Sequence, residues 1–225
     1  MAAIQVFIGF TTEGTTDARF LHKIVERTFE EIAFECNNDV EPVIQFLDVT
    51  KTGLSFAEYT VKASKQGVEE LGITILCIHS DADNTTIESV IQNKITPAQQ
   101  ALDAESDDSV CKVIVPAIPI QMMESWMLAD KNLLKEEIGT TMTDQELGID
   151  RFPESIANPK FTIEEAIRLS RQGMVKRKRK DLKIGDIYYS IGQKVSIEKL
   201  LILPSYRHFQ EEVRNAYRKL HLLNR

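Results

Sequence analysis

Acidic residues follow three separate hydrophobic segments of this sequence. One segment ends in Phe10-Thr11-Thr12-Glu13-Gly14-Thr15-Thr16-Asp17, another in His79-Ser80-Asp81-Ala82-Asp83-Asn84, and a third leads to Glu124. Asp81 and Asp83 are two apart, a spacing at which extended or turn backbone points both side chains the same way, so both can reach one cation. Three carboxylates gathered without a counter-charge raise one another's pKa, so such a cluster calls for a proton or a metal. Oxygen-only ligands favour Mg²⁺ or Mn²⁺ over zinc. Neither the three cysteines nor the four histidines show zinc-like spacing. Mg²⁺ keeps several waters and takes one or two carboxylates plus substrate phosphate, which suits a sparse acidic site acting on a phosphodiester.

Other residues are open to two readings. Glu124 lies in an otherwise apolar stretch, where a carboxylate needs a partner or a metal; it is an extra ligand, a group that orients one, or half of a salt bridge. Asp17 contacts a metal through water or favours the start of a helix. If residues 121 to 137 form one regular helix, Asp130 lies about 120° around it from Glu124, so the two cannot face one ion. Trp126 reads as core and His79 as a satisfied core histidine. The run Lys176-Arg177-Lys178-Arg179-Lys180 is either a solvated loop or a positive lobe that holds nucleic-acid phosphates.

Positioning these groups requires a sheet. Residues 3 to 10, 43 to 49, 73 to 79 and 110 to 118 read as strands, and the consecutive apolar or cysteine positions within 73 to 79 imply burial on both faces, as in a parallel sheet. Helical spacing is expected over 16 to 33, capped by Thr15 or Thr16, and over 54 to 71. A further helix over 85 to 103 should be broken or kinked at Pro97. Beyond Pro119 helices are expected at 121 to 137, 162 to 171, 195 to 201 and 205 to 223. The alternation predicts an α/β fold with a mostly parallel central sheet covered by helices and a helical C-terminal extension. The extension, 136 to 225, follows an α/β domain over 1 to 135 or belongs to it. Ligands of open parallel sheets bind beyond the carboxyl ends of the strands, where all three acidic segments fall.

Composition narrows the setting. With 43% hydrophobic and 27% charged residues, the chain of 225 residues has globular proportions and enough length for a sizeable core. A net charge of -7 gives no global field for DNA or membranes, so nucleic-acid contact must be local. An odd number of widely spaced cysteines suits reduced thiols and a cytoplasmic protein. No apolar stretch approaches the ~18 residues that span a bilayer, and MAAIQVFIGF lacks the basic region of a signal peptide.

The strand followed by Glu13-Gly14-Thr15-Thr16-Asp17 and Phe20-Leu21 resembles the first motif of TOPRIM domains, and Ser80-Asp81-Ala82-Asp83 resembles their second, Asp-x-Asp. The resemblance implies a Rossmannoid fold in which Glu13, with Gly14 beside it, is the general acid or base and Asp81 and Asp83 hold Mg²⁺. Pro116-Ala117-Ile118-Pro119, Glu124-Ser125-Trp126-Met127-Leu128-Ala129-Asp130, Asn158-Pro159-Lys160 and Pro204-Ser205-Tyr206-Arg207-His208-Phe209 are similar to segments of uncharacterised bacterial TOPRIM-like proteins of the RloB-like group, which is related to OLD-type nucleases. Residues 4 to 130 carry most of the likeness, and mobile elements or phage defence are the setting it implies. Thr11-Thr12 departs from the apolar residue common before the glutamate. Without a further topoisomerase, primase or ATPase module, stand-alone topoisomerase or primase activity is not expected.

The expectation is therefore a Mg²⁺-dependent nuclease acting on DNA or RNA, with the basic run 176 to 180 anchoring the backbone. Hydrolysis is expected over strand transfer, since Tyr188, Tyr189 and Tyr217 lie far from the motifs in sequence. One alternative is a catalytically silent nucleic-acid or partner-binding module of a larger complex, with an ATPase partner protein carrying the activity. Another is a phosphatase or nucleotidyl-transfer enzyme acting on small phosphates.

Overall fold

The computed structural model describes residues 3–106, 108–172 and 181–224. The basic run 176 to 180 lies outside them. Strand β1 (Ile4–Thr11) leads into α1 (Thr15–Ala33), β2 (Val40–Phe46), α2 (Phe56–Leu71) and β3 (Ile75–His79). Short α3 (Ile87–Val90), a π-helical turn (Ile91–Ile95) and α4 (Thr96–Asp103) then lead to β4 (Ile114–Ala117). The four strands form one sheet in the order β2-β1-β3-β4, and every pairing is parallel. Pro42 and Pro116 sit in the two outermost strands, where a missing N–H leaves no central ladder bond unmade.

Going from β1 to β2 the chain moves one way across the sheet, and from β2 through β3 to β4 it moves the other way. Right-handed crossovers then put α1 on one face and α2 and α4 on the other. The side chains follow the strand alternation. Ile75 and Cys77 of β3 join the α1-side cluster, while Leu76 and Ile78 join clusters with Ala63 of α2 and Ala98 of α4. All five β3 residues are buried, as the apolar or cysteine positions within 73 to 79 implied.

Pro97 does not break the helical segment. The N–H of Thr96 reaches back to the carbonyl of Ile91, and this widened turn takes up the crowding that a proline imposes on the preceding turn. The expected single helix over 121 to 137 is instead α5 (Glu124–Met127) and α6 (Lys131–Glu137). Asp130 separates them and caps α6, accepting from the Leu133 N–H at 3.1 Å. The helix after β1 is capped by Gly14 rather than by Thr15 or Thr16: Gly14 N donates to Asp17 Oδ2 at 3.1 Å, and Asp17 N to Gly14 O.

The remaining helices are α7 (Pro159–Ser170), α8 (Ile184–Lys194), α9 (Ile197–Leu200) and α10 (Pro204–Lys219). Helix α8 has no counterpart among the expected elements. Its two glycines, Gly185 and Gly192, each cost about 1 kcal/mol of helix propensity relative to alanine, and packing on α1 overrides that. These helices close over the α1 face, so one buried cluster contains Ile8 and Phe10 of β1, Ile24 of α1, Ile187 of α8 and Phe209 of α10. Among the described residues no helix is long and apolar enough to cross a membrane.

Trp126 is fully buried in this layer, as its expected core role requires. Its Nε1 donates to Ser205 Oγ at 2.7 Å, and Ser205 donates through its N–H (3.1 Å) and its hydroxyl (2.5 Å) to Glu154 Oε1. A carboxylate distant in sequence thus satisfies a free N–H in the first turn of α10. Burial raises the Glu154 carboxyl above the ordinary glutamate value, outweighing the Ser205 bonds that lower it. The native state then binds this proton more tightly than the unfolded chain. Stability from Glu154 is full below the unfolded value of about 4.3 and declines as pH rises through the higher native value. In urea titrations the stability difference between wild type and Glu154→Gln should shrink across that window; a difference independent of pH would show that the carboxyl is unshifted.

Candidate functional site

The reversal in the direction the chain winds across the sheet places a crevice beyond the carboxyl ends of β1 and β3, the topological switch point at which open α/β sheets bind ligands. Glu13 follows β1 and Ser80-Asp81 follow β3, so the two motif segments flank that crevice.

Buried polar groups fix the end of β1. Thr11 Oγ1 donates to Leu47 O at 3.1 Å and lies 2.5 Å from the Tyr59 hydroxyl, which donates to Thr12 O at 2.9 Å. Thr12 Oγ1 closes the turn on Gly14 O at 2.7 Å. The two threonines that depart from the apolar pattern therefore pin the backbone that presents Glu13.

Both Glu13 oxygens are engaged. Oε1 accepts from Ser80 Oγ at 3.1 Å and from Lys94 Nζ at 3.4 Å, and Oε2 lies 3.3 Å from Lys51 Nζ. Lys94 also donates to Ser80 Oγ at 2.7 Å. Lys94 comes from the π-helical turn and stands 5.9 Å from the Phe56 ring, and Lys51 stands 5.9 Å from that of Tyr59. Burial alone would raise the Glu13 carboxyl, but Lys94, Lys51 and the Ser80 hydroxyl outweigh it and hold the pKa below the ordinary value.

His79 and Ser80 are fully buried. His79 Nε2 lies 3.0 Å from Asp81 Oδ1, and Nδ1 lies 3.7 Å from Asp17 Oδ2. Burial works against the imidazolium, yet Asp81, Asp17 and Glu13 together raise the His79 pKa. Burial also raises Asp17, although His79 opposes it. The carboxylates were expected to need a proton or a metal as counter-charge; here Lys51 and Lys94 supply counter-charge to Glu13 from the protein itself.

Asp83 is exposed and left-handed, with φ 50°, a conformation that aspartate tolerates better than most residues. Its N–H bonds to Gln121 O at 2.8 Å. Asp81 and Asp83 nevertheless line one small pocket of about 160 Å³, together with Thr85, Asn93 and Lys94. Among the described residues no group of three or more histidine, cysteine, aspartate or glutamate side chains is arranged to hold a metal ion. The donor set is two aspartates on one pocket, a set that a hard cation retaining its waters can use and that zinc would not favour.

Glu124, at the start of α5, is 3% exposed. It accepts the Tyr188 hydroxyl of α8 on Oε1 at 2.5 Å. Burial raises its pKa, the charge of Asp81 adds to that, and Lys160 opposes it. The expected partner of this carboxylate is therefore a tyrosine, with its hydroxyl pKa raised by burial and by Glu124 itself. Asp130 belongs to the α6 cap and its side chain is used there.

Glu13, Asp17 and Asp81 thus come together around Ser80 and His79, Glu124 is near enough for the charge of Asp81 to act on it, and Asp83 shares the small pocket with Asp81. Sequence reasoning missed Lys51 and Lys94, quoted Ser80 and Lys160 only within motifs, and set Tyr188 aside as distant in sequence, whereas it bonds Glu124. Lys94 lies in a helix expected to break or kink at Pro97, and its π-helical turn has no signal in the spacing; Tyr188 lies in a helix that was not expected. No protein-family model, curated protein or solved structure matches the chain significantly.

Proposed function

We propose that this protein is a Mg²⁺- or Mn²⁺-dependent nuclease of TOPRIM type that hydrolyses phosphodiester bonds of DNA or RNA in the cytoplasm. One observation carries the reading: Glu13, Ser80 and Asp81 meet at the β1/β3 switch point with two lysines aimed at the same carboxylate. Asp81 and Asp83 would hold the metal, with Glu124 beside them. Bound there, the metal would supply charge neutralisation at the phosphate and a more acidic water.

The chain's own residues account for the rest. Lys51 and Lys94 rest on Glu13 and have a better partner in a phosphate oxygen, which they can reach at the same crevice mouth. Their transfer to substrate removes the two lysine charges that lower the Glu13 pKa, so Glu13 becomes a stronger base when the substrate is in place. Ser80 keeps the carboxylate oriented through this exchange. The basic run 176 to 180 would add backbone affinity without sequence preference.

The test is turnover of labelled DNA and RNA strands with Mg²⁺ or Mn²⁺. Cleavage should stop on chelation, and Asp81→Asn should raise the metal concentration for half-maximal rate about tenfold or more. Cutting that persists in EDTA and in the variant would sink the assignment. A silent binding module, working with an ATPase partner protein, is favoured by one feature: Glu13 is already fully paired by lysines. Metal binding without turnover, alone and on every strand type, would establish that second reading.

A further inference from the structure

A second concavity adjoins the acidic cluster. It lies between α7 and α8, measures about 480 Å³, and is walled by Ile167, Leu182, Ile184 and Gly185, with Lys160 and Lys183 at its polar side. Two residues tie it to the site. Tyr188 lines it and bonds Glu124 through its hydroxyl, and Thr16 lines it beside Asp17. Lys160 acts electrostatically on Glu124 from the same pocket.

We infer that this pocket receives the unstacked nucleoside next to the scissile phosphate of a single-stranded nucleic acid, with Lys160 and Lys183 on the adjoining phosphate. The inference rests on the nuclease reading and specifies its substrate class. The volume suits one small-molecule-sized group. Its aliphatic walls match a base face and its lysines match a phosphate, which makes the lining amphipathic in the way a nucleotide is. Glu164 also lines the pocket, leaving one net positive charge there. A base inside a duplex is stacked and paired, so it could enter only after being flipped out; an unpaired strand has no such cost.

Gly185 gives a clean probe. A Cβ there would meet no described atom within 4 Å, and Gly185 lies in the first turn of α8 and lines the pocket, so Gly185→Leu adds bulk at the pocket from a position with open space. Wild type and Gly185→Leu would be compared for binding of a fluorescent 12-nucleotide single strand and of the matching duplex, with thermal unfolding as a fold control. Single-strand affinity should fall about tenfold, with duplex affinity nearly unchanged. Lys160→Gln should reduce the slope of log affinity against log salt by about 0.7. Unchanged single-strand binding in a folded Gly185→Leu protein overturns the inference, even where wild type cleaves and the nuclease reading stands. Equal loss on both substrates overturns the single-strand class. Selective loss of single-strand binding in a protein that never cleaves supports the pocket and leaves the binding-module reading in force.

Discussion

Glu13→Gln should lower the rate of the proposed metal-dependent strand cleavage by about 10² to 10⁴-fold, the usual contribution of a positioned proton-transfer group. Glutamine keeps an oxygen for Ser80 and the lysines but takes up no proton, so the loss belongs to the chemical step. The carboxylate is only partly buried and its pairs with Lys51 and Lys94 are half-exposed. Breaking such pairs costs little stability, on the order of 1 kcal/mol or less. Single-turnover rates with saturating metal and strand separate the two effects, because binding is then complete in both proteins. Wild-type rates in the variant would move the proton role away from Glu13. The exchange of Lys51 and Lys94 onto phosphate would then have no catalytic consequence.

Gly192→Ala should destabilise the protein by about 3 kcal/mol, at the upper end of the cost of inserting one carbon into a packed interior. A Cβ at this position would sit 2.3 Å from Phe20 O and 3.0 Å from Phe20 C and Cα. Those are backbone atoms of α1, so no rotamer change relieves the contact; α8 must lift away from α1. Tyr188, one turn earlier on α8, holds Glu124. The same substitution should therefore disturb the acidic cluster as well as the fold. Gly185→Ala in the same helix is the internal contrast, because open space and helix propensity make it neutral or stabilising by up to about 1 kcal/mol. Urea midpoints of the two variants give the comparison, and equal midpoints would show that α8 does not pack on α1 through Gly192.

Much of the sheet was legible because strand burial leaves a local trace. The run from Ile75 to Ile78 is apolar since both faces of β3 are covered, and the amphipathic spacing of α1 reports its single buried face. Elements whose reason is distant were not legible. Helix α8 carries two glycines that argue against a helix, and one of them is there because α1 passes within contact distance of its backbone. Asp130 was expected on one long helix with Glu124, about 120° around it, whereas its side chain caps a separate helix.

The sequence by itself determined the alternation of strands and helices as far as β4 and the acidic residues at the strand ends, because hydrophobic period and local turn chemistry are written within a few residues. It also determined that Glu13 and Asp81 would lie on one edge of a parallel sheet. Only the tertiary structure decided which cations meet those carboxylates. Lys51, Lys94 and Tyr188 reach the cluster from a loop, a π-helical turn and a late helix, and no spacing rule links them to it. Electrostatic partnership depends on distance through space, which a linear pattern does not record until packing has closed the chain.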